Sequence, residues 1–358
     1  MNKRLVDFQR SSSFYGKIDL LCTIKSFNVR EIRKRYLDSK SNKNNRTGAV
    51  ERRASAKGGV CQLSISDGKL IQHELITDLV EPRGVTHGQS VTAFAFEREV
   101  LLIQQDKETL RLTHPWFSYL HSVDLSDTHL LVASSGFDCI FEFDLLTNRF
   151  TTEWFAWDHG IDRAKDPETG EDIYLCRTGE RQEEYNKAGK TTLLIDDPVK
   201  QILPTAKRAA FINSVSYTRN NKVLATFFHE GKVYEIDLHS GEVKERIAGL
   251  NSPHGGFDKH KLMATSTASG QVWIEGDFYD FEGLPNKAKE MEGMEWVQNT
   301  ISLNKSTFIS IDSNRSAFVI FDIDKNLFDM IHFDQDWAVQ DLIPNTFGFN
   351  LKEHKNEF

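Results

Sequence analysis

The chain has 358 residues, of which 39% are hydrophobic and 27% charged, with 22 Gly and 8 Pro. This is a globular composition that excludes wholesale disorder, collagen-like and disulfide-scaffold classes, while the length leaves either two domains or one repetitive body. The net charge of −8 gives no support to whole-surface nucleic-acid binding.

The first residues, MNKRLVDFQRSSSFYGK, carry no apolar core of a signal peptide. No apolar run approaches the ~18 residues of a membrane span. The four cysteines, Cys22, Cys61, Cys139 and Cys176, lack CxxC or Cys/His zinc spacing. The expectation is a cytoplasmic protein with reduced thiols and no membrane or nucleic-acid partner.

In chain order, three strands come first: IDLLCTIKS (18–26), VCQLSIS (60–66) and KLIQHEL (69–75). Between the first two lies a segment from Arg33 to Lys57 with nine Lys or Arg against Asp38 and Glu51, a local charge of 9 − 2 = +7. Its low hydrophobicity predicts a mobile basic loop, able to hold a protein partner or cover an anionic ligand. Helical periodicity is weak everywhere; EIRKRYL and 182–190 are the candidates.

Hairpins then recur. Gly58–Glu74, Gly136–Phe150, Gly231–Glu245 and Ser316–Ile331 each read as strand, tight polar turn, strand. Before them stand polar residues that open further apolar strands: Arg83, His121, Asn213, His254, Gln298 and Gln340. Their separations are 38, 92, 41, 44 and 42 residues. A period near 40 with four strands per unit predicts a β-propeller.

The three strands before Arg83 make an incomplete blade, and a surplus strand lies near Ala338 to Pro344. That strand is predicted to become the innermost strand of blade 1, closing six blades in a single domain over 1–358. The 92-residue interval is read as an insertion over 156–211; a seventh blade is the alternative.

In a propeller the six polar openings converge on the central axis, on the face that also receives the loops between second and third strands. His121 and His254 are the catalytic candidates there, placed at one repeat position. Arg83, Asn213, His229, His114, Asp138 and His159 are the ligand-binding candidates. Several imidazoles, an amide and a guanidinium suit a small polar or anionic molecule. Imidazole also allows base, nucleophile or ligand roles. No cofactor is favoured. A transition metal held by His121, His254 and His229 is the alternative, without a supporting spacing motif. Walker A, GxGxxG, HExxH and GxSxG motifs are absent.

The run HPWFSYLHSVDLSDTHLLVASSGFDCIFEFDLLTN, then FAWDHG, then FINSVSYTRNNKVLATFFHEGKVYEIDLHSGEV and SPHGG, resembles a bacterial group of arylsulfotransferase-like propellers over about 82–280. The resemblance implies a six-bladed fold and a transferase passing a sulfuryl group between phenols through a histidine at the channel mouth. In that group a histidine would precede the INSV element; here the position is Phe211. The other functional expectations are a hydrolase, a non-enzymatic protein-interaction platform, and a metal-dependent lactonase or oxygenase type. Of a lactonase-like Glu/Asn/Asp calcium set, only Asn213 is evident.

Overall fold

The computed structural model describes residues 1–40, 42, 46–105 and 107–358. Each turn signal in the sequence closes a hairpin for an identifiable local reason. At the ends of three third strands, Asp144, Asp237 and Asp322 turn their carboxylates onto the two amides that follow two and three residues later. The chain then reverses at Asn148, Gly241 or Asn326, each in the left-handed region with φ of 54°, 74° and 54°. Asx turns followed by an αL residue are what this spacing of Asp and Asn or Gly favours.

Among the described residues the hairpins assemble into six antiparallel sheets whose strands follow one another in order. Blade 2 contains Val85–His87, Val91–Ala95, Glu99–Gln104 and Leu110–Thr113. Blade 3 contains Leu120–Leu125, His129–Ser134, Cys139–Asp144 and Arg149–Phe155; blade 4 contains Ile212–Tyr217, Val223–Phe227, Lys232–Ile236 and Val243–Ile247. Blade 5 (His254–Phe257, Met263–Ser266, Gln271–Ile274, Asp277–Asp280) gains a parallel outer strand, Asn2–Arg4. Blade 6 (Val297–Ser302, Thr307–Asp312, Ala317–Asp322, Leu327–His332) gains Gln9–Arg10 in the same way.

Blade 1 joins the two ends of the chain. Ala338–Pro344 pairs antiparallel with Ile18–Ser26, followed by Lys57–Ser66 and Lys69–Val80. The fold is an all-β propeller whose inner strands contact one another around a closed ring.

The 92-residue interval adds no seventh blade. It holds a three-stranded sheet, Arg163–Lys165, Asp172–Cys176 and Thr192–Leu194, antiparallel on one side and parallel on the other. The inner strands of blades 3 and 4 meet directly past it. The Val215 amide donates to Ser122 Oγ at 3.2 Å and the Tyr217 amide to Asp124 at 2.8 Å.

The basic segment differs from the expected loop. Its first part is helix α1, Val29–Lys40. The helix forms because Val29 and Ile32 share a face that packs on Ala338 and Trp296, while Asn28 Oδ1 accepts from the Glu31 amide. Arg33 is buried there and donates to Ser313 O, Ser316 Oγ and Glu290. The charge pattern suggested mobility because it hid these internal partners. Positions 41, 43–45 of the expected loop lie outside the described residues. A second helix, α2 (Gly179–Lys187), caps its first turn with Thr178.

The core lies between sheets. Phe117, Phe137, Phe141, Phe143 and Phe155 fill the wedge around blade 3, with edge-to-face ring pairs such as Phe117–Phe141 at 5.2 Å. Flat rings fill wedge-shaped gaps well, which is where many of the 25 Phe are used.

Candidate functional site

The polar openings reach the axis through irregularities in strand pairing. In the innermost strands the register breaks between Leu120 and Ser122, Ile212 and Ser214, His254 and Gly256, Val297 and Asn299, and Val339 and Asp341. The residues left unpaired are His121, Asn213, Gly255, Gln298 and Gln340. A β-bulge re-aims its side chain and bends the strand, so one device repeated around the ring turns these residues inward. His254 is therefore not at the position of His121, as the sequence suggested; Gly255 is, and His254 stands one residue earlier.

Four blades share a second device. Glu81, Tyr119, Phe211 and Ser252, each two residues before a polar opening, have φ of 45°, 56°, 52° and 51°. Non-glycine residues adopt this region at a cost. Here it turns Glu81, Tyr119 and Phe211 into the wall of a cavity of about 180 Å³.

That cavity lies under α1, the segment after it and the exit of the insertion. Its floor contains His121 and His254, with ring centroids 5.4 Å apart. His254 Nδ1 is 2.9 Å from Thr267 Oγ1. The wall carries five cations, Lys25, Arg35, Arg52, Arg53 and Arg208, against Glu51, Glu81 and Glu97. Tyr36, Trp296, Phe211 and Phe228 give it flat apolar surfaces. The cover is fastened by Arg46, which donates to Ala206 O at 3.1 Å and Arg208 O at 2.6 Å, and by the Ala206 amide to Ala49 O.

Burial sets the charge states. It drives the His254 imidazole down to about 3 and His121 well below the usual range, the latter helped by His254, Arg83 and Lys25. Both rings are neutral at ordinary pH. Burial opposes ionisation of Tyr119, but Arg83 and Lys25 outweigh it and bring the phenol to about 8. The Arg83 guanidinium lies 3.5 Å from that ring's centroid and Arg208 4.5 Å. Arg83 is itself fully buried and paired with Glu81. It stands behind Tyr119 and does not line the cavity.

Arg208 differs from Arg83 in its ion pairing, since Arg83 has Glu81 as a partner although its Nε and Nη1 are also unpartnered. Arg208 is 4% exposed, donates Nε to Leu203 O at 3.3 Å, and leaves Nη1 without a partner. It has no carboxylate in ion-pair contact among the described residues, and burial lowers it to about 10. A buried guanidinium lining a cavity has the charge and donor geometry that an anionic group can pair with.

The other expected site residues are dispersed. His229 is beside the cavity, its Nε2 2.9 Å from Thr205 O and its ring against Phe211 and Phe228. Asn213 faces a second cavity at the opposite end of the channel. Asp138 is buried structural wiring: it accepts from Trp157 Nε1 and from the amides of Ala209, Ala210 and Phe211. The structure does not bring His114 and His159 to either cavity. His114 packs on Phe117, Phe141 and Phe150 with Glu153 at 3.3 Å, and His159 stacks on Trp154 at 4.9 Å. Aromatic neighbours in the sequence signalled packing for these two. Among the described residues no three His, Cys, Asp or Glu side chains group as a metal ion requires. Arg208, Tyr119 and Lys25 were missed, and no local motif marks them.

No family model matches this sequence, and no curated protein matches it. Among solved structures, a protein of unknown function from Bacteroides caccae has 10% identity and a TM-score of 0.50, covering 91% of this chain and 98% of that one. A structure of the nidogen/laminin complex gives 10% identity and 0.52, covering 91% and 97%. A virginiamycin B lyase from Staphylococcus aureus gives 12% identity and 0.41, covering 73% and 75%. At such identities the likeness is one of fold alone. Among the described residues no helix is long and apolar enough to cross a membrane.

Proposed function

We propose that the covered cavity binds a small aromatic molecule carrying an anionic group, such as an aryl sulfate, phosphate or carboxylate. The observation that carries this reading is Arg208, a buried guanidinium that lines the cavity and has no carboxylate in ion-pair contact among the described residues. Lys25 adds charge, while Phe211, Phe228 and Trp296 offer faces for a ring. His121 and His254 contribute neutral imidazoles. A group titrating near 3 is a weak base, but its lone pair is free for nucleophilic attack or hydrogen bonding.

The finer reading is sulfuryl transfer. An imidazole nitrogen would bond to sulfur as the aryl O–S bond breaks and the phenolate leaves. The interaction-platform reading is less well supported, because Arg33, Arg46 and Arg52 are engaged within the protein.

Titration calorimetry with p-nitrophenyl sulfate and p-nitrophenyl phosphate tests the binding. Arg208→Gln should weaken both at least tenfold with the fold intact, and equal affinity would overturn the assignment. Release of p-nitrophenolate with a phenol acceptor, lost in His121→Ala or His254→Ala, would extend it to transfer.

A further inference from the structure

The channel has a second chamber, beyond the layer of His121, His254, Gln298 and Gln340 that both cavities share. It measures about 280 Å³ and opens at the face opposite the cover. Its polarity is the reverse of the first. Asp341 projects from the inner strand of blade 1, directly after the bulged Gln340. It accepts from Asn299 Nδ2 at 2.8 Å and from the Val85 amide at 3.1 Å, and has no cation in ion-pair contact among the described residues.

Across the ring, on the inner strand of blade 4, Asn213, 2% exposed, donates Nδ2 to Pro253 O at 2.8 Å. That bond fixes the amide's orientation and leaves Oδ1 as a buried acceptor with no donor. Such an atom is costly to bury unless something supplies a hydrogen. The one Lys on this wall, Lys259, is 3.6 Å from Asp124. Phe257, Ile301, Leu303 and Phe347 give this wall apolar surfaces among polar side chains such as Ser122, His260 and Thr346.

We propose that this second chamber binds a small primary amine, its ammonium group received by Asp341 and its apolar part held by Phe257, Ile301, Leu303 and Phe347. An ammonium group supplies three donors and a positive charge, and Asp341 has no cation in ion-pair contact among the described residues. The inference does not rest on the anion site, since the two chambers share only the central layer.

Benzylamine, benzyl alcohol and benzoate separate charge from shape when titrated by calorimetry against the full chain at about pH 8, where an alkylammonium is charged. Benzylamine should bind at least tenfold tighter than benzyl alcohol, and Asp341→Asn should remove that preference while leaving alcohol binding unchanged. Ser302→Arg, which places a fixed cation at the rim, should abolish amine binding. It decides the question if circular dichroism shows Asp341→Asn misfolded. Equal affinity for amine and alcohol, stronger binding of benzoate, or amine binding unaffected by a folded variant would overturn the proposal. Arg208→Gln should leave benzylamine binding unchanged, so either site can fail without the other.

Discussion

At the scale of single residues, the buried charges divide between wiring and reception. Asp138 is wiring: one carboxylate fastens three successive amides at the exit of the insertion and the indole of Trp157. Asp138→Ala strands buried donors, so it should destabilise the protein by about 3 kcal/mol in urea unfolding. Tyr119 lines the cavity proposed to receive an anion. Its phenol is held near 8 although burial alone would raise it. A folded-state value below the unfolded one means that stability from this group grows as pH rises from about 8 towards 10. Formation of the phenolate also cancels part of the positive field, so anion affinity should fall through pH 8. Ultraviolet difference titration should show one tyrosine ionising early, and Tyr119→Phe should lose both that step and the fall in affinity above pH 8. An unchanged profile in the variant would remove Tyr119 from the anion site.

At the scale of elements, the hairpins were readable because their turns are local chemistry: Asp, then Asn or Gly at a fixed offset, between alternating strands. The polar openings were readable as a period. What turns them inward was not, since a bulge is defined by the partner strand and a left-handed Tyr119 or Phe211 carries no sequence mark. Hence Arg208 and Tyr119 escaped notice, while His114 and His159 were drawn towards a site they do not line. Gly255 shows the strength of the device. Its φ is 53°, and a Cβ there would meet Asn299 Oδ1 at 2.0 Å. Asn299 cannot easily withdraw, because its Nδ2 holds Asp341. Gly255→Ala should therefore cost about 2 kcal/mol through backbone strain alone. It should also weaken benzylamine binding by displacing Asp341, a link that calorimetry on the folded variant would test.

At the scale of the molecule, the ring is closed by its two termini. Residues 338–344 supply the inner strand of blade 1, and the tail beyond packs Leu351, Phe349 and Phe358 around Phe94 of blade 2. The N-terminal strands bind blades 5 and 6 at their outer edges by only three and two register pairs. These were not apparent in the sequence, because two or three polar residues carry no strand pattern. Closure, by contrast, was visible as an arithmetic excess: three strands at one end and one at the other. Removing residues 337–358 exposes the inner edge of blade 1 and strips one wall from both chambers, whereas removing residues 1–10 uncovers outer edges and takes one buried side chain, Leu5, from the core of blades 5 and 6. The C-terminal truncation should lose its cooperative calorimetric transition and its binding of both probe classes. The N-terminal truncation should keep the transition with a modestly lower Tm. Because the closing strand is one uninterrupted segment, a synthetic 337–358 peptide added in trans should restore the transition of the truncated chain. Failure to restore it, with the peptide soluble and in excess, would mean that the strand must be laid down during folding rather than fitted into a preformed gap.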